Sequence, residues 1–277
     1  MTRDVPTAPE DSPERREARA RSFDAVAGSY SLVRPAYPST VFDAIAAVAP
    51  PPASVLEIGP GPGFATLPMA ERGYRILAIE LGPALARVAR RRLKGHPQVR
   101  IAVADFHVWH LTRAQRFDLV LAASSFHFID PSTALSAVHA ALRPSGWLAQ
   151  VANHPRPGRV GSRARAFWEA TDRLYRRHAP TLAARRGSSP SRIPDRRTDM
   201  RRSGLFDPIR RLSWTWRHEY ASDGFLGLID TFSDHRLLPA AERSDLFAAV
   251  RDLIDTEFGG CVVREYRTDL YLAQRRG

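Results

Sequence analysis

Cysteine is nearly absent from this 277-residue chain: Cys261 is the single one, which excludes an internal disulfide framework and an all-cysteine metal site. No apolar run approaches the roughly 18 residues that a bilayer-spanning helix needs. The opening MTRDVPTAPEDSPERREARARS contains no apolar core of the signal-peptide kind, so the cytoplasm is the expected location. Lysine is almost missing too. Lys94 stands alone, and the net charge of +12 is therefore carried by arginine. Between Arg156 and Arg217, seventeen arginines face five acids (Glu169, Asp172, Asp195, Asp199 and Asp207), an excess equal to the whole net charge. A basic face of this kind attracts polyanions. Nucleic acid stays open as a partner, beside the plainer reading of a solvated arginine-rich surface. What is present is ordinary for a globular chain: 44% hydrophobic and 25% charged residues, enough to build a buried core.

Residues 1 to about 20 alternate proline, acid and arginine and read as a flexible leader. Two helical stretches follow around a proline-bounded link; the second runs from about Ser39 to Val48, with Ser39 or Thr40 placed to cap it and Pro50 to Pro52 to stop it. A regular alternation then begins. Strands are predicted at 54–59, 75–81, 99–106, 117–124 and 146–153, with helices at 63–73, 83–95 and 131–142 between them. Crossovers of that length imply a parallel sheet with helices on both faces. After Asn153 the rhythm breaks. A helix is predicted within 155–186, a mobile Gly/Ser/Pro/Arg-rich loop over 187–204, and a strand at 209–220; helices near 222–233 and 239–257 lead to a last strand at 261–274.

The first strand ends in the stretch SVLEIGPGPGFATL, with Glu57 ahead of Gly59, Pro60, Gly61, Pro62 and Gly63. Glycine lets a backbone approach a ligand closely, and ligands of open parallel sheets bind beyond the strand carboxyl ends. A dinucleotide fingerprint would carry a third glycine where Phe64 stands, so a nicotinamide oxidoreductase fits poorly. An acid two residues before the first glycine is a poor neighbour for pyrophosphate and a useful one for a cationic ligand. The prolines at 60 and 62 remove two amides from any contact with that ligand.

E-x-G-x-G-x-G at a strand end resembles motif I of the class I S-adenosylmethionine-dependent methyltransferases, and the resemblance extends from about Phe23 to Asn153. It implies an α/β fold with a Rossmann-like, doubly wound, seven-stranded sheet, mostly parallel with an antiparallel last strand, plus helical cap insertions. It implies a single domain: a cofactor-binding core with N-terminal cap helices over 21–153, completed by cap helices and closing strands over 154–277. Glu80, ending the second strand, matches the acid that holds both ribose hydroxyls, with Leu81 beside it. Asp105 and Phe106 match the pair at the adenine amino group and ring, and AASSFHFID (122–130), with Ser124, matches the region facing the methionyl moiety and the substrate. The lead-in FDAVAGSYSLVRPAYP resembles one in small-molecule members of the methyltransferase-domain 11 and 25 type; it gives Tyr30 and Arg34 a role in closing over the cofactor. With Glu57, Gly59, Pro60 and Gly61 this completes the expected cofactor-binding set.

The implied activity is methyl transfer from S-adenosylmethionine to an O, N or C nucleophile of a small molecule, as in secondary metabolism, with S-adenosylhomocysteine as the other product. No membrane or metal partner is implied. Asn/Asp-Pro-Pro-aromatic, the family mark of amino methylation on nucleobases, is missing after the fourth strand, and no cysteine lies there for attack on cytosine. RNA or other nucleic acid as acceptor, and a binder of the cofactor that does not methylate, remain as alternatives. His127 is the candidate general base, because imidazole titrates near neutral pH; its plain alternative is a residue packing beside Phe126 and Phe128. His107 and His110 have metal-like spacing without a carboxylate to complete a set, Trp214 and Trp216 share one strand face, and His235 is expected to project from the cap.

Overall fold

The computed structural model describes residues 33–106, 116–129, 133–186 and 195–277. The predicted first helical stretch, the flexible leader, Tyr30, His107 and His110 lie outside the described residues. The chain alternates as the sequence predicts: α1 (Ser39–Ala46), β1 (Ser54–Ile58), α2 (Thr66–Glu71), β2 (Arg75–Glu80), α3 (Pro83–Arg92), β3 (Val99–Val103), β4 (Phe117–Ala123), a 3-10 turn (Phe126–Phe128), α4 (Ala134–Ala141) and β5 (Leu142–Arg156). Then come α5 (Arg163–His178), α6 (Pro180–Arg186), α7 (Arg197–Ser203), β6 (Phe206–Ala221), α8 (Ser222–Asp230), α9 (Ser233–Arg236), α10 (Ala240–Glu257) and β7 (Cys261–Arg275).

The seven strands form one sheet in the order β3-β2-β1-β4-β5-β7-β6. All neighbours among β1 to β5 are parallel; β7 runs antiparallel to both β5 and β6, so the last strand of the chain is the reversed one. The order switches direction between β1 and β4, which opens a crevice at their carboxyl ends. Because both faces are covered, the strands are apolar on both sides rather than alternating. Val55, Leu119, Leu121, Trp147, Ala149, Leu270 and Leu272 face one layer with Phe42, Ile45 and Met69. Their strand neighbours Leu56, Val120, Ala122, Leu148, Tyr271 and Ala273 face the other with Val138 and Met200. A third cluster, Phe167, Tyr175, Phe225, Leu228, Leu246, Ile254 and Tyr266, builds a cap from α5, α8, α10 and the outer ends of β6 and β7.

Several expectations are corrected. Neither Ser39 nor Thr40 caps α1; Pro38 takes the cap position, and no side chain there accepts from the first turn. β3 stops at Val103, so Asp105 and Phe106 lie in the turn beyond it rather than at its end. β5 begins four residues before the predicted Gly146 and runs past Asn153 to Arg156, because β7 pairs with it as far as Glu265. The 155–186 segment breaks into two helices at Ala179. Within the predicted 187–204 loop, Arg197–Ser203 is helical, held by the fully buried Met200, and Gly204 ends it with φ of +66°.

Candidate active site

Gly59, Gly61 and Gly63 all have positive φ (64°, 55° and 88°), which a chiral residue adopts only at a cost. Their surroundings differ. A Cβ on Gly59 would stand 2.7 Å from Ser125 Cβ, so the turn after β1 and the turn after β4 touch there; the Ser125 hydroxyl also donates to the Ile58 carbonyl. A Cβ on Gly61 would meet nothing within 4 Å, since this glycine faces open space in the crevice. Gly63 packs toward Leu93 and Arg92 at the end of α3, so its role is to let helix and turn approach each other. Ser124, at the end of β4, also has positive φ (57°) and accepts from the Tyr37 hydroxyl at 2.9 Å.

These turns border a cleft of about 760 Å³, lined by Gly59, Pro60, Gly61, Glu80, Leu81, Asp105, Phe106, Ser124, His127 and Arg34 of the expected set. Ten of the twelve expected site residues thus converge. Tyr30 lies outside the described residues, and Glu57 stands off the cleft surface. Glu80 is buried and spans the first turn: Oε2 accepts from the Gly61 amide at 2.9 Å and Oε1 from the Gly82 amide at 2.8 Å. A carboxylate presents two oxygens with two lone pairs each, the acceptor chemistry that a vicinal diol requires.

Glu57 lies beneath the glycine turn, 1% exposed, and among the described residues neither carboxyl oxygen has a hydrogen-bond partner. Burial pushes its pKa up to about 8; the nearby Thr66 hydroxyl opposes the rise and the Glu80 charge adds to it. The Thr66 hydroxyl is itself buried without a partner among the described residues. A cation bound above this turn would favour the ionised form of Glu57 through a short, poorly screened path. With the Glu80 carboxylate in the cleft lining and an open glycine edge beside it, the residues fit a cationic ligand that carries an adenosine.

The structure adds residues that the sequence reading missed: Tyr37, Gln150, Asn153, His154 and Arg196 also line the cleft. Tyr37 was within reach, since it belongs to the same SYSLVRPAYP stretch as Arg34. His154 comes from the unexpected extension of β5. Its Nε2 stands 3.6 Å from Asp269, a fully buried carboxylate that also takes Arg211 at 3.1 Å, Arg267 at 2.9 Å and the Ser213 hydroxyl. Burial lowers the pKa of His154, more than Asp269 raises it, and the charges of Arg267, Arg196 and Arg211 add to the lowering. Hydrogen bonds from Ser213, Arg211 and Arg267 overcome the burial of Asp269 and hold its pKa low.

His127 lines the cleft from the 3-10 turn, its ring 4.0 Å from that of Phe128. Arg34 is tied to the cap: Nε donates to Thr231 Oγ1 at 2.9 Å, and its guanidinium lies 4.6 Å from the Phe232 ring centre. Trp214 packs on the core and Trp216 stacks on Tyr266 while donating to Thr268, both away from the cleft. His235 does not project: it is 1% exposed, hydrogen-bonded to the Tyr175 hydroxyl at 2.7 Å and to Asp234. Among the described residues no cluster of three metal-binding side chains is present, and no helix is long and apolar enough to cross a membrane.

Fold, switch point and glycine turn are those of a doubly wound nucleotide-binding domain. Residues 56–150 match the family described as methyltransferase domain. An uncharacterized methyltransferase of Mycobacterium tuberculosis is 33% identical over 132 residues, which are 48% of this chain and 52% of that protein. The chain thus spans about half the length of the curated relatives it matches first. A shorter stretch of 56 residues is 41% identical to an rRNA adenine N-6-methyltransferase of Saccharopolyspora erythraea, covering 20% of this chain and 15% of that one. Among solved structures, a candidate type II methyltransferase from Anaeromyxobacter dehalogenans is similar over 87% of this chain and 97% of its own, with 25% identity and a TM-score of 0.56.

Proposed function

We propose that the protein transfers a methyl group from S-adenosylmethionine to an O, N or C nucleophile of a small molecule. The observation that carries this reading is a cleft of about 760 Å³ whose lining brings Glu80, Asp105 and Gly61 together with Arg34, which is tied to the cap. That volume is in the usual range, roughly 300–1,000 Å³, of a small-molecule site.

S-adenosylmethionine, when bound, supplies a methyl group already activated by a positive sulfur. What remains for the protein is to align the acceptor, exclude water and take up a proton where the acceptor starts protonated. Glu80 would hold the ribose end, Asp105 and Phe106 the adenine end, and Ser124 would lie beside the methionyl moiety. His127 and His154 both line the cleft, and burial holds the pKa of His154 down, disfavouring its charged form, so its ring is a candidate to take up that proton.

The charge excess between Arg156 and Arg217 and the short match to an rRNA methyltransferase favour a second reading, methylation of RNA. Incubation of the full chain with labelled S-adenosylmethionine, once with a small-molecule library and once with total RNA, separates the two. Label in a small product with stoichiometric S-adenosylhomocysteine supports the proposal; label in RNA alone refutes it.

A further inference from the structure

Composition points to the arginines between Arg156 and Arg217, but many of those charges are met within the chain: Arg165, Arg176, Arg196, Arg197, Arg211 and Arg217 each pair with a carboxylate. The stretch from Leu81 to Ala104 is different. It carries Arg87, Arg90, Arg91, Arg92, Lys94 and Arg100, and no Asp or Glu interrupts them. All of these bases are exposed, and among the described residues none of them pairs with a carboxylate.

Their arrangement follows from α3 and β3. α3 turns Leu85, Ala86 and Ala89 inward, with Leu93 just beyond its end, so Arg87, Arg90, Arg91 and Lys94, at i, i+3, i+4 and i+7, form one outward stripe. β3 is an edge strand of the sheet, and the Arg90 guanidinium donates to its Ile101 carbonyl at 2.8 Å, next to the exposed Arg100. On the cleft side Arg92 donates to the Pro62 carbonyl at 3.4 Å and stands 4.7 Å from the Phe64 ring centre; Pro62, Phe64 and Leu85 all line the cleft. The basic surface thus reaches the cleft rim at the glycine turn. A helix C-terminus favours bases in its last turn, which accounts for Arg90, Arg91 and Arg92 but not for Arg87 or Arg100. Like charges three and four residues apart weaken a helix, and no acid relieves them here.

We propose that α3 and the β3 edge form a docking surface for the phosphate backbone of single-stranded RNA. A polyanion relieves the repulsion along the stripe, and the guanidinium fork matches phosphate oxygens. A protein partner would find no aromatic anchor, since the other exposed residues of the stretch are Pro83, Gly95, Pro97 and Val103. A membrane would find no apolar helix face, because that of α3 is already buried. Duplex DNA is read by a helix that enters a groove, whereas α3 lies against β2 and β3. Among single strands, RNA is the one that the second functional reading already names. Docking on α3 does not depend on which molecule is methylated, and so goes beyond either reading.

The test titrates the full chain, without S-adenosylmethionine, into a fluorescently labelled uridylate strand and reads anisotropy over a series of potassium chloride concentrations. The wild type is expected to bind saturably, with log affinity falling linearly against log salt. The triple variant Arg87→Gln, Arg91→Gln, Lys94→Gln is expected to weaken binding about tenfold or more and to cut the salt slope by about 2, since each phosphate contact on a single strand contributes about 0.7. Its thermal midpoint is expected to be kept or raised, because like charges are removed. Arg87→Lys with Arg91→Lys keeps the charges and is expected to retain most of the affinity. A control of equal charge, Arg177→Gln, Arg201→Gln, Arg202→Gln, is expected to stay within about twofold of the wild type. No saturable RNA binding overturns the proposal, as does an equal loss in both triple variants or a loss in the control alone. Tighter binding of a deoxythymidylate strand of the same length assigns the surface to DNA and overturns it. Retention on phosphatidylglycerol vesicles without RNA binding, lost in the α3 variant, assigns it to a membrane and does the same. S-adenosylmethionine takes no part in any arm, so failure here leaves the methyltransferase reading standing.

Discussion

The Glu80 carboxylate accepts the Gly61 amide at 2.9 Å, so the acid that ends the second strand also fixes the glycine turn that ends the first. One side chain thus orders the floor of the cleft before any ligand arrives. Glu80→Ala removes this tie, the bond from Gly82 and the acceptors for a diol. A charged hydrogen bond contributes about 1.5–3 kcal/mol, and calorimetry is expected to show S-adenosylhomocysteine affinity falling by about tenfold to a hundredfold. Glu80→Gln, which keeps one acceptor oxygen, is expected to lie between.

The glycines of the turn separate stability from binding. Gly59→Ala combines a φ of +64° with a Cβ 2.7 Å from Ser125, and denaturant unfolding is expected to show a loss of about 2 kcal/mol or more. Gly61→Ala has the backbone cost without the collision, and is expected to lose about 1 kcal/mol in the same assay. Its larger effect is on cofactor affinity, because the added methyl stands in the open space that the ligand approaches.

Glu57 couples stability to pH. Its carboxyl is raised from 4.5 to about 8 in the folded protein, so between those values the folded state holds a proton that the unfolded state has released. The resulting stability is complete below pH 4.5 and is lost as pH rises through about 8. Glu57→Gln, which keeps the shape without the ionisation, is expected to flatten the thermal midpoint between about pH 5 and about 8.5. Bound S-adenosylmethionine is expected to lower the Glu57 pKa, and its binding to release protons, read as a buffer-dependent calorimetric heat.

His154 is expected to titrate below 6.5 by NMR, since burial outweighs the pull of Asp269. Asp269→Asn removes that raising influence and is expected to lower the value further. The same substitution leaves Arg211 and Arg267 without their shared carboxylate. Breaking a buried pair costs about 3–5 kcal/mol, which equilibrium unfolding would register.

The alternation of strands and helices was legible because each strand is short, apolar and bounded by turn residues. The acid at position 80 was legible for the same reason, since it closes one of those runs. The acceptor side of the cleft was not. It depends on β5 running from Leu142 to Arg156, through Arg143, Pro144, Ser145 and Gly146 at one end and Pro155 at the other, residues that read as strand breakers. Pairing with β7 overrides the second of these ends, where Pro155 sits opposite Tyr266 and His154 opposite Arg267, and at the first end Leu142 pairs with Phe117 of β4 across a register shift. His235 misled for a similar reason. Its burial depends on Tyr175, sixty residues earlier, and no local pattern carries that contact.

Calorimetric titration of the full chain with S-adenosylhomocysteine tests the central claim most directly. One-to-one binding that Glu80→Ala weakens at least about tenfold is the predicted result. Absence of binding at millimolar ligand, or binding indifferent to Glu80, would contradict the assignment of this cleft as the cofactor site.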